Sequence, residues 1–226
     1  MNPFTYVRPT TVDDAIREFA AGPNAAYIAG GTNLVDYMKM GSLSAGRLID
    51  INGLPFTGIS EHNGGVRIGA LVSNTELANH PLIRSRYPVL SQATLAGASQ
   101  QLRNMASVGG NVLQHTRCYY FYDPSFPECN KRVPGSGCGA LKGENRIHAI
   151  LGQSEACIAV HPSDMCVAFS ALDAMVQVRG PKGSRAVPFA EFHRLPGNTP
   201  HIDTVLQPGE LIASIDLPAL PYARPA

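Results

Sequence analysis

The chain has 226 residues, 44% of them hydrophobic and 15% charged, enough for one large or two small domains around a real core. A formal net charge of +1 offers no basic stripe for nucleic acid or an anionic membrane surface, and no apolar run approaches membrane-spanning length, so neither is an expected partner. The start MNPFTYVRPTTVDDA lacks a basic region followed by an apolar one, and no internal repeat or low-complexity tract occurs, so no export address is expected on this chain itself.

In chain order, Thr10 and Thr11 with Asp13 and Asp14 open a helix whose apolar residues Val12, Ala15, Ile16 and Phe19 share one face, with Gly22 as its expected stop. Ala25 to Ala29 reads as a buried strand, Gly30-Gly-Thr-Asn33 as a turn, Leu34 to Met40 as a short helix and Arg47 to Ile51 as a second strand. This is a βαβ unit, so the two strands are expected to be parallel. Two glycines at its strand–helix junction remove Cβ atoms where an anionic ligand would approach backbone amides, and Thr32 and Asn33 add side-chain donors. A Gly-Gly turn before a helix is also a common structural device, so the junction alone does not decide.

Thr57 to Ala70 reads as a hairpin around Asn63-Gly-Gly65, Ser73-Asn-Thr-Glu76 as a capping box, and Pro88 to Ser99 as a helix. Ala106-Ser-Val-Gly-Gly-Asn-Val112 repeats the paired-glycine theme. A diphosphate lying between two such loops is one reading, and a bulged strand is the other. Farther on, Cys157 to Val160, Ala174 to Arg179 and Ser184 to Phe189 read as strands, and Ser163 or Asp164 caps a helix carrying Cys166. Glu210 to Leu217 alternates as a strand before the linker-like PALPYARPA. The expected class is α+β: a small βαβ lobe over residues 1–56, a larger lobe over 57–218 with a mainly antiparallel sheet and peripheral helices, and a linker over 219–226.

All five cysteines fall between Cys118 and Cys166, the first four inside an aperiodic stretch, 115–157, that needs a fastener. Disulfides suit small secreted scaffolds and an even thiol count. Zinc favours tight C-x₂₋₄-C pairs, which are absent, and gives the rival reading of a zinc-stapled interaction module. A [4Fe–4S] cluster tolerates the gaps of ten, eight and eighteen residues that separate Cys118, Cys129, Cys138 and Cys157. Lys131 and Arg132 would offset thiolate charge, or would simply belong to a solvated loop, and Cys166 reads as a buried structural thiol.

Four stretches in order, Tyr27-Ile-Ala-Gly-Gly-Thr-Asn-Leu34, Arg103-Asn-Met-Ala-Ser-Val-Gly-Gly-Asn111, His161-Pro-Ser-Asp-Met165 and Pro208-Gly-Glu-Leu-Ile-Ala-Ser-Ile215, resemble the FAD-binding subunits of molybdenum hydroxylases. That family includes xanthine dehydrogenases, carbon monoxide dehydrogenase medium subunits and bacterial aldehyde oxidoreductases. The resemblance implies a PCMH-type FAD-binding fold in which Tyr27, Ile28, Ala29, Gly30, Gly31, Thr32, Asn33 and Leu34 wrap the FAD diphosphate. Ser107, Val108, Gly110 and Asn111 would complete the pocket, with Asp164 near the flavin and Leu211 and Ile212 beside its ring.

The inserted cysteine loop resembles the family subset whose flavin subunit carries a [4Fe–4S] cluster, as in periplasmic aldehyde oxidoreductase and hydroxybenzoyl-CoA reductase, which implies Cys118, Cys129, Cys138 and Cys157 as its ligands. In that arrangement the chain is the electron-transfer subunit of an aldehyde oxidoreductase, or of a xanthine- or hydroxybenzoyl-type dehydrogenase. Its partners are a molybdopterin-binding large subunit and a [2Fe–2S] small subunit, and the complex is periplasmic if a partner brings a twin-arginine signal and cytoplasmic otherwise. Family members continue into a C-terminal domain, which the chain is expected to lack because it stops at Ala226.

Overall fold

The computed structural model of the chain describes residues 1–220. The N-terminal part is a three-stranded parallel sheet, order β1-β3-β2, formed by β1 (Thr5–Val7), β2 (Ala25–Ile28) and β3 (Arg47–Asp50). Helix α1 (Val12–Ala20) is capped by the Thr11 side chain, which accepts from the Asp14 amide, and ends at Ala21 rather than Gly22. Helix α2 (Leu34–Met40) ends at Gly41, whose φ of +79° is the left-handed geometry that suits a residue without Cβ. The parallel β2–β3 pairing follows from the crossover. Strand β1 escapes sequence reading because three residues between Pro3 and Pro9 show no periodicity.

The second sheet is antiparallel, order β4-β5-β8-β6-β7, from β4 (Ile59–His62), β5 (Gly65–Gly69), β6 (Met175–Gly180), β7 (Gly183–Pro188) and β8 (Leu211–Leu217). The β4–β5 hairpin turns at Asn63 and Gly64, both at positive φ, as a two-residue I′ turn requires. The last strand in sequence, β8, enters the middle of the sheet. A register shift that leaves Ala213 unpaired opposite β6 breaks its alternation and puts both Ile212 and Ile215 into the core, while Asp216 points away and takes a bidentate pair from Arg67 on β5, both contacts 2.7 Å.

The core lies between this sheet and helices α3 (Asn74–Asn79), α4 (Pro81–Arg86), α5 (Pro88–Ala96), α7 (Val108–Val112), α9 (Asp164–Ala171) and α10 (Phe189–Phe192), with α6 (Gln100–Met105) outside it against α3 and α8 (Tyr119–Tyr122) in the cysteine loop. Helices α4 and α6, at six residues each, are too short to announce themselves by period. The second glycine stretch is neither strand nor bulge: Ser107 accepts from the Gly110 amide and starts α7. Cys157 to Val160 is not a strand either. Among the described residues its one strand-like contact is a bridge from Cys157 to Ser154. Of the linker expected over 219–226, Ala219 and Leu220 follow β8 without regular structure, and 221–226 lie outside the described residues.

Phe169 on α9 is fully buried and packs on Phe189, ring centroids 5.4 Å apart. Phe169→Ala should lower unfolding free energy by about 3–5 kcal/mol, read as a shifted urea midpoint at unchanged slope. A loss under about 1 kcal/mol would mean the site collapses without a cavity.

Candidate functional site

The end of β2 is held open by its neighbours. Asn52 donates from Nδ2 to the Ala29 carbonyl at 3.0 Å and to Asp50 Oδ1 at 2.7 Å, while Tyr6 and Arg8 also reach the Asp50 carboxylate. Beyond that anchor, Gly30 packs so tightly against the end of α6 that an added Cβ would overlap the Met105 carbonyl. The two paired-glycine stretches therefore meet directly, and Gly30 serves that meeting. Gly31 does a different job at φ +72°, turning the chain into α2.

That turn leaves a row of donors. Among the described residues, no acceptor meets the five consecutive amides from Gly30 to Leu34, and the first helical bond is Val35 N–H to the Gly31 carbonyl at 3.0 Å. Asn33, at the cap position of α2, gives no side-chain cap. The second stretch is the opposite. The Val108 amide donates to Val72, Gly109 to Ala70 at 2.8 Å, Gly110 to Ser107 Oγ and Asn111 to the Ser107 carbonyl, so its amides are already used. The expectation that both glycine loops present amides holds only for the first.

The Gly31–Asn33 turn is the wall between two cavities. One, about 190 Å³, is lined by Tyr27, Ile28, Ala29, Leu211 and Ile212 together with Ser107 and Gly110. The other, about 580 Å³, is lined by Asn111 and Asp164 together with Lys39 and Arg117. Of the residues expected from sequence, only Val108 reaches neither: it is fully buried in the main core and acts by fixing the start of α7. Sequence reasoning missed Tyr37, His115 and Glu210 on the smaller cavity and Lys39 and Arg117 on the larger. Arg117 donates to Asn33 Oδ1 at 3.0 Å, a pairing 84 residues apart that no local motif signals. Free amides, a left-handed glycine and cavities on both sides fit an extended ligand with an anionic middle.

The cysteine loop brings its four thiols to one cavity, lined also by Thr116, Phe121 and Lys131. Cys129 and Cys138 pair as a bridge, His148 Nε2 lies 3.1 Å from the Cys118 sulfur, and the Ala159 amide donates to Cys157 sulfur at 3.4 Å. Among the described residues no three of these sulfurs converge within 4.8 Å of one another. Tetrahedral zinc with bonds of about 2.3 Å would hold its sulfurs near 3.8 Å, closer together than any three of these thiols stand. The free volume between the thiols is only about 10 Å³. Burial pushes the Cys118 and Cys157 thiols up, and neighbouring thiols push the same way, while Lys131 pulls Cys157 down.

Lys131 is itself held by Asp203, which also takes His115 Nδ1. Burial pushes the Asp203 carboxyl up, but the His115 hydrogen bond and the Lys131 charge together hold it well below the usual carboxylate range. Elsewhere His161, Cys166 and His193 offer ligand atoms within 4.8 Å of one another. Both imidazoles donate Nε2–H to the Val112 carbonyl, at 3.2 and 2.9 Å, and burial pushes the Cys166 thiol up to about 12. This trio is a hydrogen-bonded packing contact, in keeping with the structural role read for Cys166.

The family model described as FAD binding domain in molybdopterin dehydrogenase matches residues 2–220. The chain is 54% identical over 220 residues to the aldehyde oxidoreductase FAD-binding subunit PaoB of Escherichia coli K12, covering 96% of this chain and 69% of that protein. It is 26% identical to the glyceraldehyde dehydrogenase medium chain of Sulfolobus acidocaldarius over 96% of this chain and 60% of that one. Among solved structures it superposes on a chain of the carbon monoxide dehydrogenase from Hydrogenophaga pseudoflava with a TM-score of 0.70 at 26% identity, covering 97% of this chain and 60% of that chain.

The half-buried His161 has its pKa lowered to about 4 by desolvation and by His193. An unfolded histidine protonates near 6.5, so the unfolded chain binds more protons between about pH 6.5 and 4, and stability should fall as pH drops through that window. His161→Gln keeps an Nε2–H donor without the titration. Urea midpoints at pH 7 and pH 5 should therefore differ less for H161Q than for the parent chain, and equal differences would refute the assignment.

Proposed function

The chain belongs to the family of FAD-binding domains in molybdopterin dehydrogenases, and from that premise we propose that it is the electron-transfer flavoprotein subunit of a molybdenum-containing aldehyde oxidoreductase. The aldehyde assignment rests on the 54% identity to a protein bearing that name. The observation that carries the cofactor site is the run of unpaired amides from Gly30 to Leu34 at a left-handed turn between two cavities. FAD, when bound, accepts and passes on electrons, and the protein supplies binding, orientation and electrostatics.

In this reading the Gly30–Leu34 amides hold the diphosphate. Tyr27 to Ala29, Leu211 and Ile212 form the apolar wall on one side, and Asn111 and Asp164 the polar wall on the other. Cys118, Cys129, Cys138 and Cys157 ligate a [4Fe–4S] cluster, a choice supported by the convergence of all four on one cavity and by the lack of a tight C-x₂₋₄-C pair among them. Molybdopterin and [2Fe–2S] centres belong to a large and a small partner chain. Electrons arrive from those centres and leave to an external acceptor, and export would follow a partner's twin-arginine signal.

The complex as isolated should release flavin on denaturation and contain iron with acid-labile sulfide in this chain; a colourless, zinc-containing chain overturns the proposal. Gly31→Val forces a branched side chain to φ +72° against Val35 and Ile28, and should strip the flavin while the chain stays folded by circular dichroism. Normal flavin content in G31V would remove this loop from the site. Cys129→Ser should lose iron and become protease-sensitive between residues 115 and 157, since metal binding supplies folding energy. Cys166→Ser should keep its iron, and iron loss there would mean the fourth ligand is misassigned.

A further inference from the structure

The cysteine loop does more than enclose its own cavity. Cys118 accepts at its carbonyl from the amides of Phe121 and Tyr122, at 3.1 and 3.0 Å, and so starts α8. The side chains of α8 then reach helix α2. Tyr122 donates to Asp36 at 2.5 Å, and the Tyr37 ring meets His115, Phe121 and Tyr122 edge-on at centroid distances of 5.4, 5.8 and 5.3 Å. The His115 amide donates to the Tyr37 hydroxyl at 3.2 Å. Tyr37 belongs to the same apolar cluster as Cys118 and Cys129, so the helix whose N-terminus carries the free amides packs into the body of the cysteine loop.

Arg117, next to Cys118, makes the direct link. One guanidinium nitrogen donates to Tyr122 Oη at 2.9 Å and the other to Asn33 Oδ1 at 3.0 Å. Asparagine at a helix start ordinarily turns its side-chain oxygen onto the amides of its own first turn. Here that oxygen is taken by Arg117, Asn33 sits in helical conformation without a side-chain cap, and the neighbouring amides are free for a ligand. A planar fork spanning two acceptors is a job that lysine, a single point charge, cannot repeat.

We propose that Arg117 is a positioning residue through which the cysteine loop holds Asn33 off its own helix, so that filling the metal site tightens flavin binding and flavin binding stabilises the metal site. The inference rests on the cofactor assignments above. Coupling of this kind is reciprocal: each ligand strengthens the other by the same factor.

The test uses the assembled complex, deflavinated and titrated with FAD by flavin fluorescence, with iron and sulfide measured on the same samples. Arg117→Ala should keep its iron and bind FAD at least about tenfold more weakly, the scale of one lost hydrogen bond from a charged group. Arg117→Lys should lie closer to R117A than to the parent. Cys129→Ser should also weaken FAD binding, and the R117A/C129S pair should match C129S within about twofold, because both act through one link.

FAD affinity of R117A within about twofold of the parent overturns the inference. So do R117K behaving like the parent, multiplicative effects in the double variant, and iron loss in R117A, which would make Arg117 a support of the metal site alone. A parent chain without iron or sulfide instead overturns the cluster assignment, so the two failures are distinguishable.

Discussion

The backbone of Gly30 runs against the Met105 carbonyl at a separation that admits no side chain, and the placement of everything else around the site follows from that contact. It joins the end of a parallel strand to the end of a helix in the antiparallel half, where β8 also contributes Leu211 to the small core and Ile212 to the large one. A side chain at position 30 would force the two halves apart and open the wall between the cavities. The segment that follows Met105 is tied to α3 by the Asn74 amide, which donates to the Ala106 carbonyl, and to its own helix by the Ala106 amide, both at 2.8 Å.

Two glycine pairs that look alike in sequence thus divide the work. The first pair supplies contact at Gly30 and chirality at Gly31, and leaves donors unpaired. The second pair is packing: a Cβ at Gly109 would press on Ala70 at 3.1 Å, and one at Gly110 would lie 3.0 Å from the Ser107 hydroxyl that caps α7. Buried or half-buried amides without acceptors carry a free-energy cost in an isolated chain. That cost is what a bound anion removes, which is why the unpaired row, rather than the glycines as such, identifies the ligand-binding edge.

The local signals were legible where the chemistry is local. Helix α2 has the bounds read from sequence, Thr11, Ser73 and Ser163 cap the helices they were expected to cap, and the Asn63-Gly64 hairpin turns where it should. What stayed hidden depends on distant partners. Strand β1 exists because β3 offers it an edge, whereas Cys157 to Val160 pairs only locally, with Ser154. The role of Gly30 depends on Met105, and that of Arg117 on Asn33, neither of which is a neighbour in sequence. Val108 looked like part of the ligand pocket because it sits inside the motif, yet its side chain points into the core.

Charge explains how the cysteine loop and the smaller cavity coexist a short distance apart. Lys131 is only 12% exposed and touches Asp203 and the Pro200 carbonyl, so its ammonium is paired and still acts on Cys157. The same carboxylate takes His115, which lines the smaller cavity. One half-buried anion therefore fixes two cationic or donor groups, Lys131 on the cavity of the thiols and His115 on the cavity beside the unpaired amides. An unpaired buried ammonium would be costly, so Lys131 can stay near the thiols only because Asp203 is anchored. Asp203 lies outside the 115–157 stretch, and so the electrostatics of the inserted loop are set by the host fold as well as by the loop itself.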